Sequence, residues 1–186
     1  MARGHAEALM PLVLETLAAA GLAFADIDRI AVGVGPGSFT GIRIALAAAR
    51  GMGLAADRPV VGIDSFSAVA ATIAPSSLAG RSLLVVIDSK RRELFGQYFD
   101  DHRTALGEPL VLEAPALLER RPAGALLVAG DGASQLPAAA GMTHAEGAGR
   151  PDARAIARLA AEGRSILAAR PLYLRPPDVS LPGSAS

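Results

Sequence analysis

Short apolar runs alternate with longer segments in which apolar and small residues recur at helical spacing. That alternation sets the reading of the first half of the chain. Residues 6–20 read as a helix, 29–34 as a strand, 38–55 as a second helix, 59–63 as a second strand and 65–73 as a third helix. Ile30, Ala31, Val32, Gly33 and Val34 include no polar member, the pattern of a strand covered on both faces. Strands and helices in this order predict parallel pairing with right-handed crossovers. Pro75, Ser76, Ser77 and Gly80 then interrupt the pattern and read as a break between two lobes.

The second half opens with a predicted hairpin, residues 82–87 and 93–99, joined by a charged turn at 88–92, and a short third strand at 109–112. Residues 125–129 read as a buried strand ended by Gly130, Asp131 and Gly132, and 152–168 as a helix with Pro151 just before its start. The tail beyond Pro176 is rich in Pro, Ser and Gly and reads as disordered. The expected organisation is an α/β chain with an N-terminal lobe at 1–75, a C-terminal lobe at 81–175 holding the 152–168 helix, and a tail at 176–186. Two parallel strands do not make a stable sheet alone. Entry directly into a helix leaves one sheet edge without neighbours, which predicts strands upstream of Met1, lost to a shortened gene model or to natural truncation.

Between the first strand and second helix lies Gly35, Pro36, Gly37, Ser38. The glycines allow backbone angles closed to other residues, Pro36 fixes one φ, and Ser38 is placed to cap the next helix. Such turns also aim free N–H groups at phosphates. No lysine of a P-loop follows, however, and the third glycine of a dinucleotide fingerprint is misplaced, so a structural turn is the favoured reading.

Composition narrows the chemistry. The 186 residues are 51% hydrophobic but only 4% aromatic, so Ala, Leu, Val and Ile build the core, and helices packed on such small side chains approach closely. Formal net charge is zero, which leaves no overall field to attract nucleic acid. No cysteine is present, excluding disulfides, thiol nucleophiles and Cys-ligated zinc and fitting a cytoplasmic protein. Glu7 and Glu15 interrupt the apolar start and argue against a secretory signal, and no uncharged stretch is long enough to span a bilayer. His5, His102 and His144 are far apart and lack a second ligand at helical spacing. The charged run Asp88, Lys90, Arg91, Arg92, Glu93 reads first as a solvated turn and second as a basic corner for a binding partner.

The two long helices carry the strongest functional signal. On the first, Leu9, Met10, Leu12, Val13, Leu14 and Leu17 cover an arc of roughly 200°, about twice what one buried face requires. On the second, Ile42 and Leu46 share a stripe flanked by Arg43 and Arg50, with no carboxylate three or four residues from either arginine. Leu9, Leu12, Val13, Leu17, Ile42, Arg43, Leu46 and Arg50 are therefore the candidate partner interface, and Gly35, Pro36, Gly37 and Ser38 the turn that launches it. The competing reading covers the excess apolar surface with upstream strands of the same chain.

The string GPGSFTGIRI at 35–44 resembles the TsaB family, the non-catalytic partner of the enzyme that builds threonylcarbamoyladenosine beside the tRNA anticodon. HAEALMPLV at 5–13, RPVVGIDSF at 58–66, IDSKRRELF at 87–95 and PLYLRPPD at 171–178 are similar to family segments in the family's order. The resemblance implies an actin-like, ribonuclease H-like two-lobe fold, preceded in relatives by a strand and hairpin. It also implies a scaffold that binds the catalytic TsaD through the two helices, with TsaE docking on the pair and tRNA reached only through the complex. A homodimer in the absence of TsaD and a cytoplasmic location are expected. The metal-binding histidine pair of TsaD falls on Ser65 and Val69, and its glycine-rich phosphate turn falls on residues 88–92, which implies a pseudoenzyme with no cofactor and no metal. Two alternatives stay open. One is a peptidase-like hydrolase using Ser38, although GxSxG is absent; the other is an actin-like nucleotide-binding protein.

Overall fold

The computed structural model describes residues 5–175 and holds two mixed sheets flanked by helices. After helix α1 (His5–Ala19) come β1 (Ile30–Gly35), α2 (Phe39–Ala56), β2 (Val60–Asp64) and α3 (Ser65–Ala70). β1 and β2 pair in parallel, as the alternation predicts. Both long helices are close to their expected bounds because the local signals are strong. Ser38 caps α2, its Oγ accepting from Gly41 N at 3.2 Å, and Asp57 ends it in the left-handed conformation. Asp64 caps α3, accepting from Ser67 N at 2.7 Å.

The segment read as a polar break is the single-turn helix α4 (Pro75–Leu78), pinned because Leu78 is fully buried. β3 (Ser82–Ile87) and β4 (Leu94–Phe99) form the expected antiparallel hairpin, and β5 (Leu110–Leu112) extends it. Three elements went unforeseen in this part of the chain and the next: α5 (Ala114–Glu119), β7 (Met142–His144) and a two-residue β8 (Leu167–Ala168). β6 (Leu126–Ala129) pairs in parallel with β3 on one side and β7 on the other, completing the order β5-β4-β3-β6-β7.

The last helix departs most from expectation. α6 (Ala153–Ala161) does not run to residue 168; it stops with Glu162 as its C-cap, and Gly163 follows at φ +68°. The chain then doubles back as β8, antiparallel to β2, giving a first sheet ordered β1-β2-β8. α6 packs on β1, β2 and α3 rather than on the second sheet. The disordered tail expected at 176–186 lies outside the described residues.

Side-chain alternation in the first sheet explains its two covers. Val32 and Val34 face α2 and pack with Leu46 and Ala49, while Ile63 meets Ala68, Leu159 and Ala160 of α3 and α6. The second sheet buries Leu83, Val85 and Leu127 against α3, and Leu84, Val86 and Val128 against Leu117 of α5. α3 therefore sits between the sheets and ties both halves into one core.

Candidate partner-binding surface

The GPGS turn is built for geometry. Gly35 has φ +105°, and a β-carbon there would lie 2.8 Å from Ile42 Cδ1, so only glycine lets the turn seat on the first turn of α2. The Gly35–Pro36 bond is cis. Gly37 does not adopt a positive φ and the nearest atom to a β-carbon there is 4.0 Å away, so the expected special backbone requirement holds at Gly35 and not at Gly37. Behind the turn, Leu172 N donates to Val34 O at 2.9 Å, holding the C-terminal segment across the end of β1.

α1 leaves much of its apolar arc in solvent: Met10, Leu12 and Leu14 are exposed, whereas Leu9, Val13 and Leu17 are half-buried. Leu9 and Val13 line a groove of about 840 Å³ with Ala45, Ala49 and Met52 of α2, the edge of β1, and Ile156 of α6. Met10 borders a second groove, of about 470 Å³, with Phe24, Ala48, Gly51 and Met52. Small side chains on α2 create both concavities. Gly53 acts on its opposite face, where a β-carbon would collide with Val60 Cγ2 at 2.3 Å, so α2 lies tight on β2.

The four candidate residues on α2 behave differently from expectation. Leu46 is 3% exposed and belongs to the chain's own core, packed with Val32, Val34 and Ala49, so it does not reach a partner. Its stripe-mate Ile42 packs on the same core. Arg43 and Arg50 are exposed but bind their own chain first: Arg43 Nε donates to Tyr173 Oη at 3.1 Å, and Arg50 Nη2 to the Ala169 carbonyl at 2.6 Å. Arg43 also lies over the Phe39 ring, 3.8 Å from its centroid, and Phe39 stacks with Tyr173. Sequence reasoning missed Phe39 and Tyr173, although an aromatic four residues before an arginine was the visible signal for the first.

The charged turn between β3 and β4 is largely self-satisfied. Asp88 accepts from Lys90 through both its backbone and its side chain, which lowers the Asp88 pKa and raises that of Lys90. Asp88 N donates to Asp131 Oδ1 at 3.0 Å, Arg92 pairs with Glu113 at 3.1 Å, and Arg175 with Glu93 at 2.7 Å. A β-carbon on Gly130 would lie 2.0 Å from Val86 O, so the Gly-Asp-Gly turn is shaped by its approach to β3. Ser65 and Val69 are buried in α3. Among the described residues, no three His, Cys, Asp or Glu side chains cluster so as to hold a metal ion, and no helix is long and apolar enough to cross a membrane.

With this geometry in view, comparison with known proteins places the chain. Residues 1–185 match the family described as TsaD: tRNA N6-adenosine threonylcarbamoyltransferase. The chain belongs to that family. Within the family it is similar to TsaB: the tRNA threonylcarbamoyladenosine biosynthesis protein TsaB of Escherichia coli is 34% identical over 93 residues, 50% of this chain and 40% of that protein. An uncharacterized protein of Mycobacterium tuberculosis is 43% identical over 104 residues, 55% of this chain and 46% of the relative. The matched stretches thus span less than half the length of these curated relatives. Among solved structures, YeaZ from Pseudomonas aeruginosa superposes with a TM-score of 0.71 at 26% identity, covering 92% of this chain and 85% of that one. A second, described as an uncharacterized protein with similarity to peptidase YeaZ from the same organism, gives 0.74 at the same identity and covers 84% of its chain. The actin-like α/β arrangement expected from the TsaB resemblance is therefore the fold of this chain.

Proposed function

We propose that this protein is a TsaB-type subunit of the cytoplasmic machinery that forms threonylcarbamoyladenosine in tRNA, and that it binds the threonylcarbamoyltransferase TsaD through α1 and the outer side of α2 without performing bond chemistry itself. The observation that carries the reading is the exposure of Met10, Leu12 and Leu14 along α1, beside two grooves floored by the small side chains of α2. Contiguous apolar surface of this kind marks an interface more often than it occurs on a free monomer. A partner that covers α1 on both flanks of the grooves would bury Leu12 on one side and Met10 on the other against aliphatic side chains of its own. TsaE joins the assembled pair, and tRNA is reached through the complex. When TsaD is scarce, a second copy of the chain covers the same apolar surface.

The chemistry elsewhere supports a supporting role. Ser38, the candidate nucleophile of a hydrolase, is engaged as a helix cap, its oxygen accepting from Gly41 N. The turn at 88–92 closes on itself through Asp88 and Lys90, in place of a glycine loop open to phosphate.

Co-expression with TsaD of the same source tests the proposal. A stable complex at micromolar concentration is expected. Separate elution of the two proteins across that range contradicts it.

A further inference from the structure

Five exposed positions of α2 fall in one stripe: Phe39, Arg43, Ala47, Arg50 and Leu54. At 3.6 residues per turn they lie within about 80° of arc and extend for about 22 Å. Leu46, Ala49 and Gly53 are buried on the adjoining side, centred about 90° round the helix, so the stripe is the exposed flank beside the buried face. A large apolar side chain stands at each end, Phe39 at 53% and Leu54 at 88% exposure.

The two arginines between them share one property. Each is held by a neutral acceptor of the C-terminal segment, the Tyr173 hydroxyl or the Ala169 carbonyl, so each is oriented without being neutralised. α2 contains no Asp or Glu, and among the described residues neither arginine forms an ion pair. Both Nη groups of Arg43, and Nε and Nη1 of Arg50, have no hydrogen-bond partner among those residues. Guanidinium donors ordered in advance and left free are suited to the two oxygens of a carboxylate.

Arg43 and Arg50 are seven residues apart, about 10.5 Å along the axis. A second helix lying beside α2 returns side chains to the same face at that interval. We infer that the stripe receives an acidic amphipathic helix of the partner protein, with carboxylates seven residues apart on Arg43 and Arg50 and apolar side chains over Phe39 and Leu54. This rests on the partner-binding reading above and specifies the chemistry of the partner's face. A nucleic-acid backbone would match the charges but leave Leu54 and the smooth Ala47 surface uncovered, so a protein helix is the better complement.

The test measures the affinity of the full chain for TsaD by calorimetry at about 50 mM and about 500 mM salt, for the wild type, Arg43→Gln, Arg50→Gln and the double variant. Each single change is expected to weaken binding about tenfold and the double change about a hundredfold. Wild-type affinity should fall about tenfold across the salt range, and that of the double variant by less than about twofold. The wild-type salt response needs no variant and stands even if loss of the Ala169 contact unfolds Arg50→Gln. An unchanged affinity and salt response in a folded double variant overturns the acidic-helix assignment and leaves the partner-binding reading intact. A wild type that does not bind TsaD overturns both. Loss of tRNA binding with unchanged TsaD affinity would assign the arginines to nucleic acid and also overturn the assignment.

Discussion

Gly62 faces Ala168 so closely that a β-carbon on Gly62 would lie 2.7 Å from the Ala168 carbonyl oxygen and 2.5 Å from Val34 Cγ1. The glycine therefore makes room for β8 to return against β2. Gly62→Ala must displace either that backbone or Val34, and is expected to cost about 1–3 kcal/mol. Denaturant unfolding measures it; a wild-type midpoint would mean that β8 does not dock in solution.

Tyr98 buries its ring in the second sheet and donates its hydroxyl to Leu117 O at 2.7 Å. Tyr98→Phe removes that bond, leaving the carbonyl with Arg120 N as its donor at 3.1 Å, and should cost about 1 kcal/mol in the same experiment. Burial also pushes the Tyr98 pKa from 10.0 up to about 12. The folded state thus keeps a proton that the unfolded chain has lost, so stability falls as pH rises across that interval. Tyr98→Phe should remove this share of the alkaline loss, which pH-dependent melting detects.

At the start of α6 the sign reverses. Hydrogen bonds from the Arg154 side chain and backbone hold the Asp152 carboxyl down from 3.8 to about 2. The contribution is fully present above pH 3.8 and is lost as pH falls toward about 2. Carboxyl titration by NMR should place Asp152 below the ordinary aspartate range, and Arg154→Ala should raise it part of the way back, since the backbone N–H of residue 154 still donates. A wild-type midpoint at the ordinary value would remove the cap from this account.

Much of this architecture is legible in the sequence where the determinants are local. The β1–α2–β2 unit was readable because apolar runs, the Ser38 cap and the turn glycines all lie within a few residues of the feature they specify. β8 was not, because two residues carry no periodic signal and their pairing depends on a glycine more than a hundred positions earlier. The end of α6 was available from Gly163, a helix-stopping residue overridden by the alanines on both sides. The face of α2 was harder. Small residues surround that helix, so its sequence does not say which stripe is down, and Leu46 was assigned outward when the sheet claims it.

The open side of β1 makes a prediction about exchange. Ile30 N donates to Pro59 O, so alternate residues, Ala31 and Gly33, turn their backbone groups away from β2 and toward the groove. In the isolated 186-residue chain their amides should exchange at least about a hundredfold faster than that of Val85, which sits on a strand paired on both sides. Equal protection would show that another segment covers the edge.

The central claim is that α1 and α2 dock a partner, and Leu12 tests it most directly because it is 58% exposed and lies outside the core clusters. The decisive measurement is the dissociation constant for TsaD of the full chain and of Leu12→Asp, with a thermal melt of each alone. The account predicts an unchanged melt and binding weakened by about thirtyfold or more. An unchanged dissociation constant in a folded variant would contradict it.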